Sequence, residues 1–407
     1  VGLRHPPGFA ECRQTIFSLA VCMNWHEIRH HFPITAKWAY FDHAAVAPLS
    51  LPAQQAMHAW SEDLTCNGDV HEKRWVRRVE EVRRLVAQLL SCEASSVAFV
   101  KNTSEGIGIV AEGFPWKGGD NVVTAAEEYP ANIYPWMNLA NRGVELRQVA
   151  TRQARIEVDD IRDAMDSHTR IVTLSAVEYA SGFHNDLEAV ASLCRQRHAY
   201  FFVDAIQALG VLPIDVNSSM IDFLAADGHK WLLGAEGAGV FYIRPDLVEL
   251  LHPVGVGWNS VVGARFFSKI DFQLKPSAGR WESGSLNVAG ITALGASLEL
   301  LLGIGIPVIT RRVMELTDYL CQRAERLGIE VYSSRRFADK SAIVSLNMPT
   351  VNPRALVQRC RLENIVINER GGRIRVSPHA YNTSEELDRL LDILEDEMKR
   401  SATGDRA

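Results

Sequence analysis

Long apolar runs are missing from this chain of 407 residues. None reaches the ~18 residues that a membrane-spanning helix needs. Cysteine is sparse and unpatterned: the seven, at 12, 22, 66, 92, 194, 321 and 360, are odd in number and form no C-x-x-C pair. That pattern excludes a disulfide framework and a cysteine-based zinc site, and fits a reducing cytoplasm. Charge of one sign is also lacking: 43 Lys and Arg stand against 49 Asp and Glu, a net −6. Neither nucleic acid nor an anionic membrane is an expected partner. No G-x-G-x-x-G follows a strand, which argues against a dinucleotide site. There are no repeats and no low-complexity segment. With 47% hydrophobic and 23% charged residues, the composition is that of an ordinary globular protein with room for two or three domain-sized units.

Residues 1–23 are a separate question. Thr15–Cys22 is apolar and short, with Arg4, His5 and Arg13 before it, which has the form of a signal peptide. Glu27, Arg29, His30 and His31 follow at once without a small-residue cleavage site. The segment is expected to be poorly ordered, or to be a leader ahead of a natural start at Met23.

What is present centres on Phe223–Arg244. Lys230 stands between an apolar run and a Gly-rich run, preceded by His229, with glycines at 228, 234, 237 and 239. Its neighbours Leu224, Trp231, Leu232, Leu233 and Val240 belong inside. An amine among apolar groups loses solvation, its pKa falls, and it becomes a usable nucleophile and base. The plain alternative is a lysine that snorkels out of a buried loop. Just upstream, Tyr200–Asp204 reads as a buried strand ending in an acid, with Gln207 beyond it. The carboxyl ends of such strands are where open α/β sheets bind ligands. An aspartate can hold a proton on a pyridine nitrogen and a lysine can hold an aldehyde as a Schiff base. These are the two groups that pyridoxal phosphate requires of a protein.

Strands alternate with helices from about 95 to 245, which predicts a mostly parallel sheet with helices on both faces. Helices are expected over 25–32, 53–65, 70–90, 158–164, 187–197, 287–303 and 308–327. From Ile329 the pattern changes to short strands (330–332, 343–347, 365–368, 373–377) and helices over 353–363 and 384–399, a small α+β unit. The expected division is 24–50 as an N-terminal segment against the small domain, 51–305 as the large domain, 306–400 as the small domain, and 401–407 as a frayed tail. After the strand 95–100, Lys101–Gly106 opens a helix with hydroxyl-bearing Thr103 and Ser104. Free N–H groups and the helix dipole there favour a phosphate, although simple N-capping by either hydroxyl is the alternative.

These pieces resemble the class V aminotransferase family of pyridoxal phosphate enzymes, which includes cysteine desulfurases, selenocysteine lyases and isopenicillin N epimerases. The resemblance is carried, in order, by Tyr40–Pro48, Asn102–Gly106, Glu128–Trp136, Asp204-x-x-Gln207, Asp227-Gly-His229-Lys230, Arg280–Asn287 and Arg373–Asn382. It implies a fold-type-I α/β enzyme, a large domain with a seven-stranded sheet and a small C-terminal α+β domain. It also implies a homodimer with a shared site and a small amino acid as substrate. Lys230 would carry the cofactor and move the substrate's α-proton, and Asp204 would keep the ring nitrogen protonated. Gln207 would bond the ring hydroxyl. Thr103, Ser104 and His229 would hold the phosphate, and Ser285 would reach the phosphate of the other subunit. Arg375 would bind the substrate carboxylate, with Arg373 as the rival arginine and an edge-strand ion pair as the plain alternative; His43 is a further candidate substrate contact.

Two departures stand out. Where desulfurases stack a histidine on the ring this chain has Tyr129, either a stacking ring or a core tyrosine. Where they carry a persulfide cysteine on a loop, Ile365–Arg375 runs straight through, and the nearest thiol, Cys360, reads as buried and structural. Desulfurase-like or selenocysteine-lyase-like chemistry, epimerisation and transamination all remain open, as does a non-catalytic scaffold of the same fold.

Overall fold

The computed structural model describes residues 24–403. The expectation for residues 1–23 lies outside the described residues. The chain opens with helix α1 (Trp25–Arg29), capped by the Asn24 side chain, and strand β1 (Ala39–Tyr40). Helices α2 (Leu51–Asn67) and α3 (Glu72–Leu90) follow. On α3, Val79, Val82, Val86 and Leu90 recur at helical spacing and are buried, which seats that face on the large-domain core. Arg83 shares that face because Glu282 takes it at 2.5 Å and the Val97 carbonyl at 2.8 Å.

Then the sheet is laid down: β2 (Val97–Val100), helix α4 (Thr103–Gly113), β3 (Asn121–Ala125), helix α5 (Tyr134–Met137), β4 (Glu145–Val149), helix α6 (Val158–Ala164), β5 (Thr169–Ser175), helix α7 (Leu187–Gln196), β6 (Tyr200–Asp204), β7 (Phe223–Ala226) and β8 (Gly239–Ile243). The strand order is β2-β8-β7-β6-β5-β3-β4. Only β8 runs against its neighbours, antiparallel to both β7 and β2. Buried on both faces, β6 and β7 are almost wholly apolar, as parallel strands covered by helices must be. Their carboxyl ends carry the polar residues that matter.

The long helices α8 (Val288–Ile304) and α9 (Ile306–Arg326) meet at Gly305 and lead to the small domain. The small domain adds β9 (Glu330–Val331), β10 (Val344–Asn347), helix α10 (Pro353–Leu362), β11 (Ile365–Val366), β12 (Asn368–Arg370), β13 (Arg373–Val376) and helix α11 (Ser384–Thr403). Its sheet order is β12-β13-β10-β9. Strand β1 pairs in parallel with β11, so the N-terminal segment is built into this half. A separate core gathers Phe41, Leu316, Leu320, Leu356, Ile374, Leu390 and Leu394. Of the tail expected to fray from Ser401, only 401–403 are described; 404–407 lie outside the described residues. Helix α11 continues to Thr403, because Ser401 and Ala402 offer the backbone no reason to stop. No single helix among the described residues is long and apolar enough to cross a membrane.

Candidate active site

A cavity of about 330 Å³ opens at the carboxyl ends of the central strands. Lys230, Asp204, Gln207, His229, Thr103, Ser104, Tyr129 and Arg375 all line it. The lysine loop explains its own aim. Trp231, Leu232 and Leu233 are buried, and the Trp231 indole donates to Gln207 Oε1 at 3.0 Å. The Leu233 N–H closes a turn on the Lys230 carbonyl at 2.9 Å, and the Ser297 hydroxyl holds the Leu233 carbonyl at 2.7 Å. Leu233 adopts φ of 56°, a left-handed conformation that costs a branched residue about 1–2 kcal/mol. With the apolar neighbours turned inward, the lysine faces the cavity. It is 8% exposed, so the snorkelling alternative fails.

The two principal charges perturb one another. Burial pushes the Lys230 amine down to about 8, against the pull of Asp204, which raises it. Burial pushes the Asp204 carboxyl up to about 6, opposed by the Ile206 N–H and by Lys230. Below them lie two further acids. Glu128 accepts from the Ser175 N–H at 2.5 Å and its hydroxyl at 2.6 Å, and Ser175 is register-paired with Asp204. Burial lifts Glu128 to about 7. Glu178 takes the Asn185 amide at 2.9 Å while its Oε2 is buried without a partner. Burial, then the charge of Glu128, raises it well above the carboxylate range.

The start of α4 forms the opposite wall. Asn102, not Thr103 or Ser104, is the cap, its Oδ1 accepting the Glu105 N–H at 2.9 Å. The amides of Thr103 and Ser104 are thus left for another acceptor, and the buried Thr103 hydroxyl has no partner among the described residues. The helix can sit this close to the sheet because residue 106 is glycine: a Cβ there would lie 2.6 Å from the Ala225 Cβ. His229 Nδ1 stands 3.0 Å from Asp227 Oδ2. These free donors at a helix N-terminus fit a phosphate, and the buried amine facing a buried acid fits a pyridine aldehyde, so pyridoxal phosphate suits the residues present.

The other expected residues are placed as follows. Gln207 lines the cavity with its Nε2 on the Ala44 carbonyl at 3.0 Å, which leaves one amide N–H. Tyr129 lines it too, with the Lys230 amine 5.6 Å from its ring centroid and Tyr179 edge-on at 5.2 Å. At 45% exposure it is not a core tyrosine. Arg375 is 1% exposed; it donates to Asp42 Oδ1 at 3.1 Å and to the Tyr179 carbonyl at 2.9 Å, and its Nε is buried without a partner.

Three expectations need amending. His43 does not reach the cavity. It is fully buried, with Nδ1 at 2.9 Å from the Ser377 carbonyl and Nε2 at 2.6 Å from the Tyr381 hydroxyl, so both ring nitrogens are already used and a substrate contact is excluded. Arg373 lies outside as well, stacked over the Tyr332 ring at 3.6 Å; the second arginine of the cavity is Arg370. Ser285 lines a different cavity, of about 620 Å³, beside Trp258, Arg265 and Lys275.

Sequence reasoning missed Arg370, Tyr179, Glu128 and Glu178. Arg370 and Tyr179 line the cavity. Glu128 opens one of the family motifs, yet neither glutamate carries a local sign of burial, since a buried acid and a surface acid look alike in a sequence.

A family model described as aminotransferase class-V matches residues 39–390. The chain belongs to the class V aminotransferase family. This family's enzymes use pyridoxal phosphate, and that is the cofactor here. The chain is 31% identical over 399 residues, 92% of its length and 98% of the relative's, to a protein named "Probable cysteine desulfurase" from Methanothermobacter thermautotrophicus. Among solved structures it is similar to the apo cysteine desulfurase of Thermococcus onnurineus NA1, with TM-score 0.84 and 25% identity over 92% of this chain and 98% of that one. A mutant of the enzyme C-DES, with glycine covalently linked to its PLP cofactor, matches in fold, with TM-score 0.85 and 23% identity over 91% and 99% of the two chains. The class V fold is therefore present across nearly the whole chain, as the family motifs imply.

Proposed function

We propose that this class V enzyme acts on a small α-amino acid by a desulfurase-like or lyase reaction, as a homodimer, without routing the product through any cysteine among the described residues. The observation that carries this is the buried amine of Lys230 and the buried carboxyl of Asp204 facing one cavity beside the free donors of α4. Bound through Lys230, pyridoxal phosphate supplies an electron sink that acidifies the substrate's α-proton. Thr103, Ser104 and His229 would hold its phosphate, and Asp204 its ring nitrogen. Lys230 takes and returns the proton at the substrate's Cα, which an amine with a pKa lowered by burial does well at neutral pH. Arg375 orients the substrate through its α-carboxylate, and Tyr129 covers the mouth.

Cysteines 66, 92, 194, 321 and 360 do not line this cavity. Burial pushes the nearest in sequence, Cys360, up to about 12, which makes it a poor sulfur acceptor. The homodimer reading rests on the apolar side chains that the 254–272 segment leaves in solvent, with Phe266, Phe267, Ile270 and Phe272 all more than 70% exposed. A second copy would cover them. The same face carries Ser285.

The test is direct. Purified protein should absorb near ~420 nm and lose the band in Lys230→Ala. Incubation with cysteine, alanine and larger amino acids, assayed for sulfide, pyruvate, keto acid and inverted product, identifies the reaction. Failure of the band to depend on Lys230 would defeat the reading. Keto acid or inverted product without β-elimination would replace lyase chemistry by transamination or epimerisation.

A further inference from the structure

The hairpin β12–β13 carries both arginines of the cavity, Arg370 on the first strand and Arg375 on the second. Its turn is Gly371-Gly372, with φ of 57° and 76°, values that favour glycine at both positions of a tight two-residue turn. Asn368 pairs with Arg375 and Arg370 with Arg373. Residues directly opposite in an antiparallel pair share a face. Asn368, Arg370, Arg373 and Arg375 are therefore presented to one side. Arg373 leans away onto Tyr332. Arg370 goes the other way and lines the cavity with Arg375, Tyr179 and Lys230.

The two cavity arginines differ in what they already hold. Arg375 is paired with Asp42, which the Asn368 amide also holds at 2.7 Å. Arg370 has no carboxylate at ion-pair distance among the described residues. Its Nη1 is fixed by Asn368 Oδ1 at 2.8 Å and the Glu369 carbonyl at 2.7 Å. Those two bonds orient the guanidinium without neutralising it. Glu369, the adjacent acid, points to the other face, where it accepts from the Gly372 N–H at 2.8 Å. Arg370 lines the same cavity as Lys230, Tyr179 and Arg375, and its charge reaches Lys230. A positioned, unpaired guanidinium in a small site is a receptor for a second anion.

We propose that Arg370 is a specificity residue: it selects an amino acid whose side chain ends in a carboxylate, while Arg375 takes the α-carboxylate. This rests on the function proposed above, and deepens it by naming the substrate class. A substrate with a neutral side chain leaves Arg370 without its counter-charge, and a substrate with a cationic one is repelled.

The experiment compares isosteric ligands on the cofactor-loaded protein by calorimetry, so that it needs no turnover. Succinate should bind about 10- to 100-fold more tightly than its monoamide succinamate, and aspartate should show the same preference over asparagine in kcat/KM if both react. In Arg370→Gln the ratio should fall close to one. Arg370→Lys, which keeps the charge but not the fork, should restore part of it. The 420 nm band and the circular dichroism of both variants report cofactor and fold separately. A ratio near one in the unaltered protein, or a ratio unchanged in Arg370→Gln, overturns the proposal. Loss of the Lys230-dependent band would instead defeat the underlying function.

Discussion

Lys230 and Asp204 occupy places that ordinarily forbid charge. Each is buried, and burial is opposed at Asp204 by the Ile206 N–H and then by Lys230, and at Lys230 by Asp204. The rate at which apoprotein captures cofactor should therefore rise with pH and reach half its maximum near 8, where the amine loses its proton. Asp204 raises that midpoint, so Asp204→Asn should lower it, as stopped-flow absorbance will report. Lys230→Ala should cost at least about a thousandfold in turnover, the size typical of losing an acid–base and covalent group together. His43 gives a stability test. Burial drops it from 6.5 to about 4, so the unfolded chain binds a proton in that window and the native one does not. Stability from this group is complete above pH 6.5 and is lost as pH falls towards 4, by up to about 3 kcal/mol. Urea midpoints should fall across that window, and less steeply in His43→Gln.

Among the elements, α4 turns a sequence signal into a binding surface. The hydroxyls at 103 and 104 could have been spent on capping. The neighbouring Asn102 takes that duty, and the hydroxyl of Thr103 is released. Gly106 then allows the helix to sit on β7. Gly106→Ala should push the helix off the sheet, lowering stability by roughly 1–3 kcal/mol and weakening cofactor binding about tenfold or more by titration. Unchanged affinity would separate the helix position from phosphate binding. The hairpin β12–β13 works similarly: two glycines at positive φ close the turn that brings Arg370 beside Arg373 on one face.

Across the whole molecule, the site is assembled from both domains. Arg375 crosses from the small domain to bond the carbonyl of Tyr179, and the Ser333 and Ser341 hydroxyls hold the carbonyls of Ser181 and Gly182. The same 176–185 segment carries Glu178. A second copy would add its own surface at 254–272. Replacing Phe267 and Ile270 together by Asp should yield a monomer in sedimentation and, if Ser285 reaches across, a weaker hold on the cofactor. A monomeric unaltered protein would remove the shared-site reading.

The sequence by itself determined the scaffold and the buried amine and acid of the cavity. Apolar strands ending in Asp204 and Asp227, a lysine walled in by Trp231 and Leu232, and a hydroxyl-rich helix start are local patterns, and local patterns survive being read in one dimension. Tertiary structure alone decided what faces the cavity. His43 and Arg375 look equally eligible as residues, but one spends both nitrogens on Ser377 and Tyr381 while the other keeps a free donor. Arg370 and Arg373 differ only in which neighbour, an open cavity or the Tyr332 ring, lies beyond the turn. Such choices depend on contacts between segments hundreds of residues apart, which spacing along the chain does not encode.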